Sequence, residues 1–142
     1  MAIGAFRARM EPKLSAAGIN SNWQIDDKAA DRSLSAGNIL HIYRIMQEVC
    51  SNMLRYAGAT QFTVRLFHDP KGTLVLEMAD NGCGLPTDSR GGHGLANMRS
   101  RAASLGGTLV ISDNLPGVKV SLELVASETA DPGTPEQALS SR

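Results

Sequence analysis

The chain has little sulfur, few aromatic rings and no net charge, and each shortage removes a class of function. Cys50 and Cys83 are far apart and outside any Cys-x-x-Cys pattern. That excludes a disulfide framework and a zinc knuckle, and makes a reducing cytosol the default. One Trp, two Tyr and three Phe are scattered rather than arrayed for base stacking, and 14 basic residues balance 14 acidic ones. Nucleic-acid binders usually carry a basic excess, so that class is disfavoured. No apolar run nears the roughly 20 residues that span a bilayer, and Met1 to Met10 lacks the apolar centre of a signal peptide. Any membrane anchor of a parent protein is expected outside this stretch. With 42% hydrophobic and 20% charged residues, 142 residues suit one compact domain with a real core.

What is abundant is glycine, and it is concentrated. Asp80 to Gly94 reads Asp-Asn-Gly-Cys-Gly-Leu-Pro-Thr-Asp-Ser-Arg-Gly-Gly-His-Gly, with five glycines in fifteen residues. The stretch begins where an apolar β-run (Leu74 to Ala79) stops on an acid and ends where a helical pattern (Leu95, Met98, Ala102, Leu105) starts. An acid at a strand end can accept from a base amino group. A glycine loop opening a helix can hold phosphate on its amides.

In chain order, Phe6, Met10, Leu14 and Ala17 predict a helix over 5–17, stopped by Gly18. Residues 19–25 read as a short strand around Trp23, and 26–37 as a polar loop. Asn38 is expected to cap a helix over 39–57, whose apolar face is Ile39, Ile42, Met46, Val49, Cys50, Met53 and Ala57. Two strands, 62–67 and 73–79, form a hairpin through His68 to Gly72. After the glycine loop come a helix over 95–105, closed by Gly106-Gly107, and a second hairpin of 108–112 and 118–125 turning through Asn114, Pro116 and Gly117. Residues 126–142, rich in Ser, Thr, Glu, Pro and Ala, read as a disordered tail. Hairpin-joined strands with helices gathered on one face imply a two-layer α/β sandwich.

On the helix of 39–57, Glu48, Asn52 and Arg55 fall at i, i+4 and i+7, opposite the apolar stripe, with His41 and Arg44 nearby and Tyr56 at the edge. An acid, an amide oxygen and a cation one turn apart can hold Mg²⁺ and a polyphosphate, since Mg²⁺ takes hard oxygen ligands and keeps several waters. The same residues also fit an ordinary solvated helix face. Asp80 likewise fits a role capping its own Asp-Asn-Gly turn, and Gly91, Gly92 and Gly94 a plain loop end. Two common phosphate motifs are excluded. Gly82 to Thr87 lacks the third glycine of a dinucleotide fingerprint, and Gly94 is followed by Leu95 and Ala96 rather than the Lys and Ser or Thr of a Walker A loop.

Taken together and in order, Glu48-x-x-x-Asn52, Asp80-x-Gly82-x-Gly84 and Gly92-x-Gly94-Leu95 resemble the ATP-binding domain of two-component sensor histidine kinases, within the superfamily of gyrase, Hsp90 and MutL. Arg44 to Ala59 resembles the N-box, and Gly91 to Gly107 the second glycine box, of the nitrate/nitrite-sensor-like subfamily. The likeness covers about residues 19–125. It implies a Bergerat-type sandwich with a mixed sheet, residues 1–18 as the end of a dimerisation-domain helix or linker, and 126–142 as a tail. It implies Asn52 as the Mg²⁺ ligand and Glu48 as the acid that polarises the attacking group or orients a metal-bound water. Arg55 and Tyr56 would lie beside the phosphates or ribose. Asp80 would accept the adenine amino group beside Gly82, and Gly84 would let the chain pass close to the ring. Residues 85–92, from Leu85, would form a lid, Gly92 and Gly94 would meet the phosphates, and His93 (by itself read as an exposed loop residue) and Leu95 would count with the nucleotide-binding stretch.

The implied activity is transfer of the γ-phosphoryl of ATP to a histidine on a separate dimerisation domain, for relay to a response regulator in the cytoplasm. This chain by itself is expected to be a monomer. Three departures stand out. The last hairpin turn ends Pro116-Gly117-Val118-Lys119 where relatives have Gly-Gly-Thr, with Lys119 a possible replacement for the lost hydroxyl. Tyr56 stands where many relatives have His. Nothing around His41, His68 or His93 resembles the acceptor motif. Alternatives are an anti-sigma-factor-type serine kinase and a nucleotide-binding module that acts by protein contact.

Overall fold

The computed structural model describes residues 3–83 and 92–125. Gly84, Leu85, the rest of the proposed lid to residue 91 and the tail from residue 126 lie outside the described residues.

Among the described residues, four α-helices and five strands follow in the order α1 (Ile3–Ala16), β1 (Asn20–Ile25), α2 (Asp27–Ala30), α3 (Ala36–Asn52), β2 (Gln61–His68), β3 (Leu74–Asp80), α4 (Gly92–Ser104), β4 (Thr108–Asp113) and β5 (Val118–Leu124). The sheet order is β1-β2-β3-β5-β4. β1 runs parallel to β2, pairing Asn20 with Gln61, and every other neighbouring pair is antiparallel. The sheet is mixed, as expected, and both hairpins form where the turn residues predict them. In the first, Asp69 Oδ1 accepts from the amides of Lys71 and Thr73 at 2.9 Å, which tightens the turn.

Strand alternation divides the sheet into two faces. Phe62, Val64 and Leu66 of β2, Leu74, Leu76 and Met78 of β3, and Val120, Leu122 and Leu124 of β5 are buried. Against them lie Ile42, Ile45, Met46, Val49 and Cys50 of α3 and Met98 and Ala102 of α4, making one core. The opposite face carries Arg65, Glu77 and Lys119, joined at 3.0 Å (Arg65 to Glu77) and 3.5 Å (Lys119 to Glu77). Burial pushes the Cys50 thiol up to about 12. The α1 residues Ile3, Phe6, Met10 and Leu14 belong to the same core, and the Phe6 ring lies 5.9 Å from Tyr43 and 6.4 Å from Trp23.

Several local details differ from the sequence expectation. Ser35, not Asn38, caps α3: its Oγ accepts from the Asn38 amide at 3.1 Å, which puts Asn38 one turn inside the helix. The expected loop of 26–37 contains the single turn α2, capped by Asp26. Ile45 is fully buried while Ile39 is only partly so, so the apolar stripe is wider and shifted. The α-helix stops at Asn52 and continues as a π-helical turn, Met53–Ala57, before Gly58 ends it in a left-handed conformation. Gly106 closes α4: at φ 73 it lets the Gly107 amide reach back to the Ala102 carbonyl at 2.9 Å.

Candidate nucleotide site

Asp80 is where the core pattern of β3 meets chemistry. It continues the inward phase of Leu74, Leu76 and Met78, so the strand carries its carboxylate under the helix layer, where it is 6% exposed. A buried carboxylate needs donors. Oδ1 accepts from the Gly82 amide at 2.8 Å and from the Val118 amide at 3.4 Å. Asp80 therefore does cap its own turn, as one reading of Asp-Asn-Gly required, but it does so with one oxygen. Among the described residues Oδ2 has no protein partner.

The surroundings hold that carboxylate in place. Asn81 is pinned to the start of β2, its Oδ1 accepting from the Thr60 and Gln61 amides at 2.9 Å and its Nδ2 donating to Thr60 Oγ1 at 3.0 Å. Asn114, in the β4–β5 turn, donates from Nδ2 to the Asp80 carbonyl at 2.8 Å. Gly117 lies so close that a Cβ there would stand 1.9 Å from that carbonyl oxygen, and its φ is +108. The turn read from sequence as a departure is thus part of the acid's support. Val118, which begins β5 and is half-buried against the core, supplies a backbone amide. Lys119 cannot stand in for a lost hydroxyl at this point, because strand alternation turns it to the opposite face, toward Glu77.

The other half of the site lies on α3 and α4. Glu48 and Asn52 are both half-buried on one face of α3. Glu48 lines an open cleft of about 270 Å³ between the two helices, together with Arg44, Gln47 and Ser51 of α3 and Asn97 and Arg101 of α4. Asn52 and Arg55 are not among its walls. Arg55 is exposed, in the π-helical turn, and donates from Nη2 to Ser51 Oγ at 3.0 Å. Tyr56 lies in the same turn. His41, placed by sequence on the polar face, is half-buried, and its Nδ1 has no hydrogen-bond partner among the described residues. Gly92, His93 and Gly94 open α4, where unpaired helix amides favour an anion. The Leu95 side chain packs on the core, so only its backbone is left for a ligand. Asn97 and Arg101 went unread in the sequence. Their signal was polar spacing at i and i+4 on α4, facing the polar side of α3.

A locked acid at the end of a central strand, a glycine-rich stretch of sequence after it and a helix start beyond are the features of a candidate nucleotide site on an α/β domain. The comparisons carry this further. The chain belongs to the histidine kinase-, DNA gyrase B- and HSP90-like ATPase family, whose model matches residues 37–128. It is 37% identical over 117 residues to the signal transduction histidine-protein kinase/phosphatase UhpB of Salmonella typhimurium, covering 80% of this chain and 22% of that protein. It is 40% identical over 88 residues to the sensor protein VraS of Staphylococcus haemolyticus, covering 61% of this chain and 25% of that one. The chain thus spans a quarter or less of these relatives' length. Its fold matches the histidine kinase domain of the blue-light activated kinase EL346 of Erythrobacter litoralis at a TM-score of 0.71 and 20% identity, over 89% of this chain and 62% of that one. This is the ATP-binding domain of the histidine-kinase type that the three motifs implied.

Proposed function

We propose that the chain is the catalytic domain of a sensor kinase that transfers the γ-phosphoryl of ATP to a histidine on a separate dimerisation domain, for relay to a response regulator in the cytoplasm. The observation that carries this reading is Asp80, a buried carboxylate with one oxygen held by two backbone amides and the other left to accept from the adenine amino group. The sensor-kinase names of its sequence relatives support the choice of acceptor. Residues 19–125 form the kinase domain in this reading, with α1 as its connection to the dimerisation domain of a homodimeric parent.

The donor set fits Mg²⁺. Among the described residues no three His, Cys, Asp or Glu side chains converge to make a dedicated metal cage. Asn52 offers a single hard amide oxygen at the end of α3, and a magnesium ion shared with phosphates and water needs no more from the protein. When bound, Mg²⁺ would draw negative charge from the phosphate oxygens. The chain's own residues do the rest. Asp80, beside Gly82, orients the base, with Gly84 and Leu85 nearby in sequence. The α4 amides at Gly92, His93, Gly94 and Leu95 receive phosphate, and Arg55 and Tyr56 flank the phosphates or ribose. Glu48 accepts a hydrogen bond from the attacking imidazole and holds it toward the phosphorus. Such catalysis is mainly positioning and charge neutralisation.

The test is titration of the chain with a non-hydrolysable ATP analogue, with and without Mg²⁺, beside Asn52→Ala and Asp80→Asn. Asn52→Ala should abolish the Mg²⁺ dependence, and Asp80→Asn should weaken adenine over guanine selectivity by roughly tenfold or more, the worth of one buried hydrogen bond to a charged group. Binding that ignores both substitutions refutes the assignment.

A further inference from the structure

Glu48 creates a charge problem. Beside the terminal phosphate of a nucleotide, its carboxylate faces an anion, and like charges at close range repel strongly outside bulk water. The cleft supplies the remedy. Arg44, one turn before Glu48 on α3, and Arg101, across the cleft on α4, are both among its walls. Elsewhere, Arg65 and Lys119 pair with Glu77, Arg7 pairs with Glu11, and Arg55 donates to Ser51. Arg44 and Arg101 make no ion pair or side-chain hydrogen bond among the described residues, and neither does Glu48. Two guanidinium groups and one carboxylate therefore face a common space of about 270 Å³ with a positive balance. Asn97, one turn before Arg101 on α4, adds an amide to the same wall.

We propose that Arg44 and Arg101 clamp the terminal phosphoryl group of a nucleoside triphosphate and so make the site distinguish triphosphate from diphosphate. The proposal rests on the nucleotide-site reading above and deepens it. A guanidinium offers a planar fork of donors that matches phosphate oxygens, and its charge does not titrate in the working range. Two such forks offset the Glu48 carboxylate while leaving it free to meet the attacking group. They also give direction to the cycle. Once the phosphoryl group has left, the diphosphate has nothing for Arg44 and Arg101 to hold, so product binds more weakly than substrate.

The experiment is calorimetric titration of the full chain, in Mg²⁺, with a non-hydrolysable triphosphate analogue and separately with ADP. Wild type, Arg44→Ala, Arg101→Ala and the double variant are compared, with thermal unfolding of each as the folding control. Each single change should weaken triphosphate binding by roughly tenfold, as loss of a charge-assisted contact does, and change ADP affinity by less than about twofold. Arg101→Lys should restore part of the loss. Equal weakening of both nucleotides, or no weakening of either, overturns the clamp while leaving the nucleotide site standing. A wild-type chain that takes up neither nucleotide removes the nucleotide site itself, and the clamp with it.

Discussion

Replacing Gly117 by alanine strikes the support of the candidate site without touching any group proposed to meet the nucleotide. The added Cβ would stand 1.9 Å from the Asp80 carbonyl oxygen, 2.6 Å from its carbon and 2.9 Å from the Asn81 Cα, all of them backbone atoms that cannot rotate away. Relief to an ordinary separation requires a displacement of about 1.5 Å between the β4–β5 turn and the end of β3. That movement stretches the bond from the Val118 amide, already 3.4 Å, and the bond from Asn114. Overpacking of this kind costs about 1–3 kcal/mol, and a side chain at φ +108 adds roughly 1–3 kcal/mol of backbone strain.

Gly18→Ala is the matched control. Its φ is +78, but a Cβ there meets nothing within 4 Å, so only the conformational cost of about 1–2 kcal/mol applies. Thermal unfolding followed by circular dichroism should place Gly117→Ala roughly 5 °C or more below Gly18→Ala. Affinity for the ATP analogue should fall by roughly tenfold or more in the first variant only, because a misplacement of about 1 Å is enough to spoil an oriented contact. If the two variants melt together and bind nucleotide equally well, the β4–β5 turn is not what holds Asp80.

Two further outcomes are expected. Cys50 should resist iodoacetamide at pH 8 in the folded chain while exposed Cys83 reacts, because burial pushes the Cys50 thiol from its ordinary 9.0 up to about 12. The folded state binds that proton more tightly, so the contribution is intact below pH 9 and is lost as pH rises from 9 toward 12; a denaturation midpoint that rises over this range in a Cys50-dependent way would contradict the assignment. Lys119→Met should leave ATP-analogue affinity within about twofold and cost at most about 1 kcal/mol, since its partly exposed pair with Glu77 lies on the other face of the sheet; a clear loss of affinity would return Lys119 to the site.

The legible parts of the fold were those with long-period patterns. The alternation of β2, the apolar run of β3 that stops on Asp80, the apolar face of α3 and the glycine punctuation located the elements. What escaped was decided by contacts between distant segments or by single hydrogen bonds. Ser35 and Asn38 are both good caps, and only the backbone trajectory selects Ser35. Counting α-helical spacing through residue 55 placed Arg55 in phase with Glu48 and Asn52, but the π-helical turn after Asn52 breaks that phase. The Gly117 contact joins residues far apart in sequence, so departure from the family's Gly-Gly-Thr made the turn look like a loss. Asn97 and Arg101 acquired meaning only when α4 was seen to face α3.

The bracing of Asp80 from the β4–β5 turn has a temporal consequence. During synthesis, the acid and its own Asx turn emerge early, yet Asn114, Gly117 and the Val118 amide follow more than thirty residues later. β5 must then insert between β3 and β4 to complete the sheet. A nascent chain halted before residue 118 contains the three motifs and still lacks the bracing of the proposed base-recognition point. In the proposed reading, nucleotide capture therefore reports that the final hairpin has closed.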